Sequence, residues 1–400
     1  MNKLAIFGGE KSCPDDFPKW PFYQSDEILA AEKVLRSGMV NQWSAENVKQ
    51  FEAVCSKKFN QPHGVAVFNG TLALELILRA FEIGAGDEVI VTPRSFFASV
   101  SSVVMVGATP VFADIDERSQ NISSRSIEPL ISERTKAIIP VHLNGWPCDM
   151  ADIMKLAKKH NIVVIEDCAQ AHGAMIDNQP VGSFGDGAAF SFCQDKIISS
   201  GGEGGMALFS DENKWKKAWG FKDHGKDYDA VFHKQHSPGL RWVHESFGSN
   251  WRMTNIQAAI GIEQSKKLEN WVNKRNEIAK KLTNCLNEFS FISTPKPSHN
   301  IKHAYYRFSF HVDEMKLKPD WSRIKILQAL VAEGVECLES CSRIYKEKAF
   351  EKLNFPTPDC PIAKKLENEI LHIKIHHRLR NKDVGQICLA MKKVLVEAGA

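Results

Sequence analysis

A chain of 400 residues, 43% of them hydrophobic, carries enough apolar material for a large core plus a smaller lobe. The formal charge of +3 is spread over well-mixed signs, which excludes a nucleic-acid-binding stripe or an acidic tail as the organising feature. Ten cysteines without a CxxC pair, no apolar run of membrane length, and an apolar patch at Leu4–Phe7 too short for a signal sequence point to a reduced, soluble, cytoplasmic protein with no membrane partner.

Residues 12–24, with Pro14, Pro18, Trp20 and Pro21, hold too many prolines for regular structure and read as an arm laid over the surface. A helix follows from Ser25 to Ser37, with Ile28, Leu29, Ala31, Val34 and Leu35 at helical spacing and Gly38 as its stop. In the loop after it, Trp43 either anchors the chain to the core or stacks on a ligand. Ala45 to Phe59 is a second helix, with Ser44 placed to cap it. Gly64 to Phe68 then reads as a strand, Asn69-Gly70-Thr71 as a turn and Leu72 to Phe81 as a helix. A strand, a hydroxyl-bearing turn and free helical amides make a phosphate cradle. Strands at Asp87–Thr92, Pro110–Ile115 and Ala137–His142, with a helix at Met150–His160, continue the alternation, which implies right-handed crossovers and a mostly parallel sheet. Of the aromatic pair Phe96-Phe97, one residue belongs to the core and the other can offer a flat face to a planar ligand.

The stretch from Ile162 to Ala207 carries the chemistry. Ile162–Ile165 is a short β-branched run of the kind buried on both faces of a parallel sheet, and it ends in Glu166-Asp167. A carboxylate at the carboxyl end of such a strand sits where open α/β sheets bind ligands, and it favours a cation or a protonated ring nitrogen as neighbour. A second buried strand, Ala188–Cys193, runs into Gln194-Asp195-Lys196 and the glycine-rich Gly201–Gly205. A lysine placed there can be desolvated, which lowers its pKa and makes the amine a nucleophile. Taken singly, Lys196 reads as a solvated loop lysine and Asp167 as a helix cap. Together they meet the two demands of pyridoxal phosphate, an amine for the aldehyde and a carboxylate for the ring nitrogen.

Past the lysine come Phe221-Lys222-Asp223-His224-Gly225, a polar loop over residues 226–245, and Gly248-Ser249-Asn250-Trp251-Arg252-Met253 leading into a helix from Thr254 to Leu268. From Glu269 the expected elements are a long amphipathic helix to about Phe289, a proline-marked loop at Thr294–Ser298, a strand from Tyr305 to Val312, and helices at Trp321–Ala332 and Asp383–Glu397. No chemical motif stands out among them. His372, His376 and His377 lack cysteine or acidic partners at metal-ligand spacing, so no metal is expected. The division read from this is an arm over 1–24, a large cofactor-binding domain over 25–268 and a small C-terminal domain over 269–400.

Through Glu166-Asp167-x-Ala169-Gln170-x-x-Gly173, Gly182-Ser183-x-Gly185-Asp186, Ser191-Phe192-x-x-x-Lys196 and Glu203-Gly204-Gly205, the chain resembles the DegT/DnrJ/EryC1/StrS sugar aminotransferases. The resemblance implies an α/β fold of the fold-type I pyridoxal-phosphate transferases, with a mostly parallel central sheet flanked by helices and a smaller C-terminal α+β domain. It makes Lys196 the Schiff-base lysine and Asp167 the pyridinium partner. Gln170 would bond the ring's phenolic oxygen and Phe96 would stack on the ring. Gly70, Thr71, the Leu72 amide and Ser191 would hold the phosphate. Gly248-x-Asn250-x-Arg252 would reach into a neighbouring subunit's site, with Asn250 on its phosphate, so a homodimer with shared sites is implied. The implied reaction moves an amino group from L-glutamate to a nucleotide-linked 4-keto-6-deoxy sugar, for a surface polysaccharide such as a lipopolysaccharide O-antigen. Phe17-Pro18-x-Trp20-Pro21 and Ser191-Phe192-x-Gln194 also resemble the branch that aminates keto-cyclitols or makes aminohydroxybenzoate, which is the alternative. Trp43, Arg94, His224 and Arg241 are the candidate substrate contacts.

Overall fold

The computed structural model describes residues 3–14, 16–236, 243–294, 296–353 and 358–399. Seven strands form the central sheet: β1 His63–Val67, β2 Glu88–Val91, β3 Thr109–Phe112, β4 Thr135–Ile139, β5 Val163–Asp167, β6 Gly187–Ser191 and β7 Gly205–Phe209. Their spatial order is β1-β7-β6-β5-β4-β2-β3. Only β7 runs against the rest, pairing antiparallel with β1 and with β6. β7 was not expected, because Gly205 and the glycines before it read as a flexible loop. The strands are mostly apolar and buried, as a sheet covered by helices on both faces requires, with exposed polar residues only at Thr109 and Lys136 near the starts of β3 and β4.

The helices that matter to the site are α1 Ser25–Ser37, α2 Asn47–Lys58, α3 Gly70–Ala80, α4 Ala98–Met105, α5 Met150–His160, α6 Asn255–Leu286 and α7 Asn381–Ala398. Helix α2 starts two residues later than expected. Ser44 does not cap it; its hydroxyl closes the preceding loop by donating to the Asn41 carbonyl at 2.7 Å. Helix α6 is one helix of 32 residues where two were expected. Leu268, Trp271, Val272 and Arg275 are all buried and continue one stripe at i, i+3, i+4 and i+7, so nothing breaks the helix between 268 and 269. The domain division drawn there falls inside a helix.

Beside the packing of Ala258, Leu268 and Val272 of α6 with Phe51 and Phe59 of α2 and Phe190 of β6, two further packing centres take in the C-terminal chain. One joins the central sheet to α3 and α5, and it takes in Ile344, Phe350, Ala363 and Leu366 from late in the chain. The other packs Ile278, Leu282 and Leu286 of α6 with α7 and with a small antiparallel sheet of Ile292–Ser293, Arg307–Val312, Ile370–Lys374 and Cys337–Glu339. Leu4 and Cys13 from the amino terminus complete it. The C-terminal chain therefore serves both cores.

Candidate active site

The site is assembled at the carboxyl ends of β1, β5 and β6, as expected for an open α/β sheet. The reversed strand β7 brings two of these ends together. Gly205, its first residue, pairs with Val67 of β1 on one side and with Ser191 of β6 on the other. A side chain at 205 would lie 2.2 Å from the Asn69 carbonyl oxygen, and one at Gly70 would lie 2.6 Å from the Ser191 Cβ. Glycine at both positions lets the first turn of α3 close onto Ser191. The Gly70 and Thr71 amides lie in that first turn, where a helix offers no acceptor of its own. The Leu72 amide, the third expected in the cradle, donates here to the Asn69 side chain at 3.0 Å.

Asp167 ends β5 and is only 4% exposed. Its Oδ2 accepts from the Ser99 hydroxyl at 2.7 Å and its Oδ1 from the Ala169 amide at 3.1 Å, and Ser95 in turn meets Ser99 at 2.9 Å. Among the described residues no cation stands within ion-pair distance of it. Burial raises its pKa above the ordinary aspartate value, against the pull of those two hydrogen bonds and of the Lys196 charge. A buried carboxylate so placed, beside a cradle that only glycine leaves open, fits a protonated ring nitrogen and a phosphate.

Glu166, the neighbour of Asp167, faces the other way and is saturated. It accepts from the Phe184 and Gly185 amides at Oε1, and from the Gly182 amide and His142 Nε2 at Oε2, at 2.8 to 3.0 Å. His142 Nδ1 takes the Cys148 amide at 2.9 Å, so Nε2 carries the ring proton. His142, Glu166 and Cys168 stand close enough to share a metal ion, but the ring and the carboxylate are already committed to one another and to backbone amides. The Gly182–Gly185 motif is thus held by an internal anchor.

Lys196 follows β6 and keeps 12% of its side chain exposed. Its ammonium donates to the Tyr306 hydroxyl at 3.4 Å, lies 4.7 Å from that ring's centre, and stands 3.6 Å from Asp195. Burial works to lower its pKa as expected, but Tyr306 and Asp195 outweigh it and the pKa ends above the ordinary lysine value. Tyr306 corrects the reading of the C-terminal region as free of chemistry. Ser99 was missed for the same reason, since a serine far away in sequence gives no periodic signal. Trp20 was missed too, although a tryptophan among prolines is a signal of anchoring. Its indole donates to the Lys196 carbonyl at 2.8 Å, tying the amino-terminal arm to the lysine loop.

The remaining expected residues divide. Gln170 is buried and accepts the Asn144 amide at 2.8 Å. Phe97 is the core member of its pair and meets Phe350, while Phe96 is 68% exposed, with its carbonyl accepting from the Ser99 amide at 3.2 Å. Asn250 is exposed beside Asn41 and Arg252, and it touches none of the Lys196 group within its own chain. Trp43 donates to Asp223 at 3.1 Å and packs against Trp219 and Phe232, which is the anchoring role. Arg94 is fully buried and bonds the Cys341 carbonyl, Gln120 and Ser340. Burial lowers its pKa to about 10, and it is a structural residue, not a substrate contact. His224 is exposed and holds a left-handed backbone at φ 62°. Arg241 lies outside the described residues.

The model of the DegT/DnrJ/EryC1/StrS aminotransferase family matches residues 21–392. The chain belongs to that family. It is 36% identical, over 83% of its own length and 84% of the relative's, to the UDP-N-acetyl-3-dehydro-alpha-D-glucosamine 3-aminotransferase of Acidithiobacillus ferrooxidans. Among solved structures it resembles the aminotransferase from Psychrobacter cryohalolentis at a TM-score of 0.93 and 45% identity, covering 95% of this chain and 99% of that one. It also resembles 3-amino-5-hydroxybenzoic acid synthase at 0.85 and 25% identity, covering 96% and 100%. The chain is a pyridoxal-phosphate-dependent aminotransferase of the fold-type I class. Among the described residues no helix is long and apolar enough to cross a membrane.

Proposed function

We propose that this aminotransferase moves an amino group from L-glutamate to the keto group of a nucleotide-linked sugar, with 4-keto-6-deoxy sugars as the first acceptors to test. The relative that aminates a UDP-linked keto sugar supports the acceptor class, and since that relative acts at carbon 3, 3-keto sugars are the second acceptors to test. In this reading the product feeds a surface polysaccharide such as a lipopolysaccharide O-antigen, and the active unit is a cytoplasmic homodimer in which Asn250 serves the neighbouring subunit's phosphate.

What supports the assignment of roles is a buried Asp167 that has no cation at ion-pair distance among the described residues, feels the charge of a nearly buried Lys196, and ends a strand of the same sheet as the Gly70–Ser191 cradle. Pyridoxal phosphate, when bound, supplies an aldehyde for covalent capture and a ring that accepts electrons. Asp167 would keep the ring nitrogen protonated, with Ser99 and the Ala169 amide fixing its orientation. Lys196 would hold the aldehyde and, when its amine is free, carry the proton taken from the donor's α-carbon. Gly70, Thr71 and Ser191 would bind the phosphate, Phe96 would cover a ring face, and Gln170 would bond the phenolic oxygen.

A second reading, amination of a keto-cyclitol or synthesis of an aminohydroxybenzoate, is favoured by the likeness to 3-amino-5-hydroxybenzoic acid synthase. The deciding experiment converts the enzyme to its pyridoxamine form with glutamate and adds candidate acceptors one at a time. Return of the lysine-bound cofactor's absorbance with a nucleotide-keto sugar supports the proposal. Return with a keto-cyclitol alone replaces it with the second reading.

A further inference from the structure

Lys196 has to be two things in turn if it accepts a proton from the donor: a neutral amine and then an ammonium. An ammonium in a site that leaves the side chain 12% exposed is costly unless something receives it. The structure holds a receiver outside the motifs read from the sequence. Tyr306 is 7% exposed, and its hydroxyl donates to Asp195 Oδ2, which leaves the oxygen's lone pairs for cations. Two cations use them, Lys196 Nζ at 3.4 Å and Arg307 at 3.5 Å, and Arg307 also lies 3.8 Å from Asp195.

The backbone carrying Tyr306 is clamped from both sides. The Tyr306 amide donates to the Asn144 carbonyl and the Ala304 amide to the Gly145 carbonyl, each at 2.9 Å. Gly145 must be glycine there, with φ at +91° and an added Cβ only 2.9 Å from Ala304. From the opposite side the buried Arg275 guanidinium donates to the Tyr305 carbonyl at 3.0 Å and to the Ile375 carbonyl at 2.6 Å. The His142-Leu143-Asn144-Gly145 turn thus acts as a platform: His142 locks it to Glu166, and its last two carbonyls present Tyr306 to the lysine.

Resting on the reading of Lys196 as the cofactor lysine, we propose that the Tyr306 hydroxyl, braced by Asp195, is a positioning residue that seats the Lys196 ammonium while the amine is not covalently engaged. The seat holds the proton on the amine and aims it, and no bond is made or broken at Tyr306. The other titratable groups around the amine are Cys193 on its own loop, Asp167 at the end of β5, and His172, whose pKa burial lowers to about 3.

The test uses the full-length chain freed of cofactor, with formaldehyde and cyanoborohydride as the probe and the mass of the Lys196 peptide as the readout between pH 7 and 10. Because only the neutral amine reacts, removing the seat should speed marking. Tyr306→Phe, which keeps the ring, and Asp195→Asn are each expected to mark Lys196 about tenfold faster at a given pH, a downward pKa shift of about one unit. Asp195→Glu should restore the slow rate, a rescue that general loosening would not give. Marking of Tyr306→Phe or Asp195→Asn at the wild-type rate overturns the proposal, as does failure of Asp195→Glu to rescue. Parallel marking with pyridoxal phosphate and borohydride on the unaltered chain separates this from the underlying reading, since a pyridoxyl group on a lysine other than Lys196 would overturn that reading first.

Discussion

Glu166 and Asp167 are consecutive residues of one strand, equally deep in the protein, and they do opposite work. Alternation along β5 sends them to opposite faces. On one face Glu166 meets four donors, so its charge is spent inside the protein and the Gly182–Gly185 turn and His142 are locked to it. On the other face Asp167 meets two donors and, among the described residues, no cation, so its charge is left for something the chain itself does not supply. A buried carboxylate builds structure when its partners are complete and chemistry when they are not.

The largest effect on the chemical side should come from Lys196→Ala, which removes covalent capture and the proton carrier together. Turnover should fall by about 10^4-fold or more with the thermal midpoint nearly unchanged. A variant that still turned over near the native rate would remove Lys196 from the mechanism. On the structural side, Glu166→Ala leaves three buried amides and the His142 ring proton without an acceptor, and should cost about 3–5 kcal/mol in denaturant unfolding. If it unfolded like the native protein, the division between the two acids would be false.

Asp167→Asn sharpens the contrast. Turnover should drop by about 10^2–10^3-fold, because an amide does not hold a proton on the ring nitrogen, while stability changes little. The smallest effect is a pH signature of the cofactor-free protein. Burial raises the folded Asp167 pKa above the ordinary 3.8, so the folded state binds the proton more tightly than the unfolded one. Its cost to stability is therefore absent below about pH 3.8 and grows as pH rises through the folded value. Relative to wild type, Asp167→Asn should gain thermal stability between pH 4 and pH 7, and a difference that stayed flat across that range would contradict the raised value.

Much of the fold could be read from local pattern. The short β-branched runs gave strands within one to three residues of their observed ends, and the 3.6-residue stripe placed α1 and α5 where they lie. Local pattern failed where the deciding contact is distant in sequence. Strand β7 was hidden by the glycines that lead into it; Gly205 itself must be small because an added Cβ would meet the Asn69 carbonyl. The division at 268/269 was drawn where the chemical motifs stop, and it falls inside one continuous helix. Arg94 was a candidate substrate contact, yet it bonds Ser340 and the Cys341 carbonyl, which nothing local places next to it.

By itself the sequence determined the strand–helix alternation, the strand-end acid, the loop lysine and the glycines between them, because periodicity, chain-end chemistry and backbone freedom are properties of neighbouring residues. The folded chain alone decided which acid faces the chemistry, and it alone put Ser99 on that acid and Tyr306 against the amine. Those choices depend on strand register and on segments more than sixty positions apart meeting in space, and such distances leave no local trace.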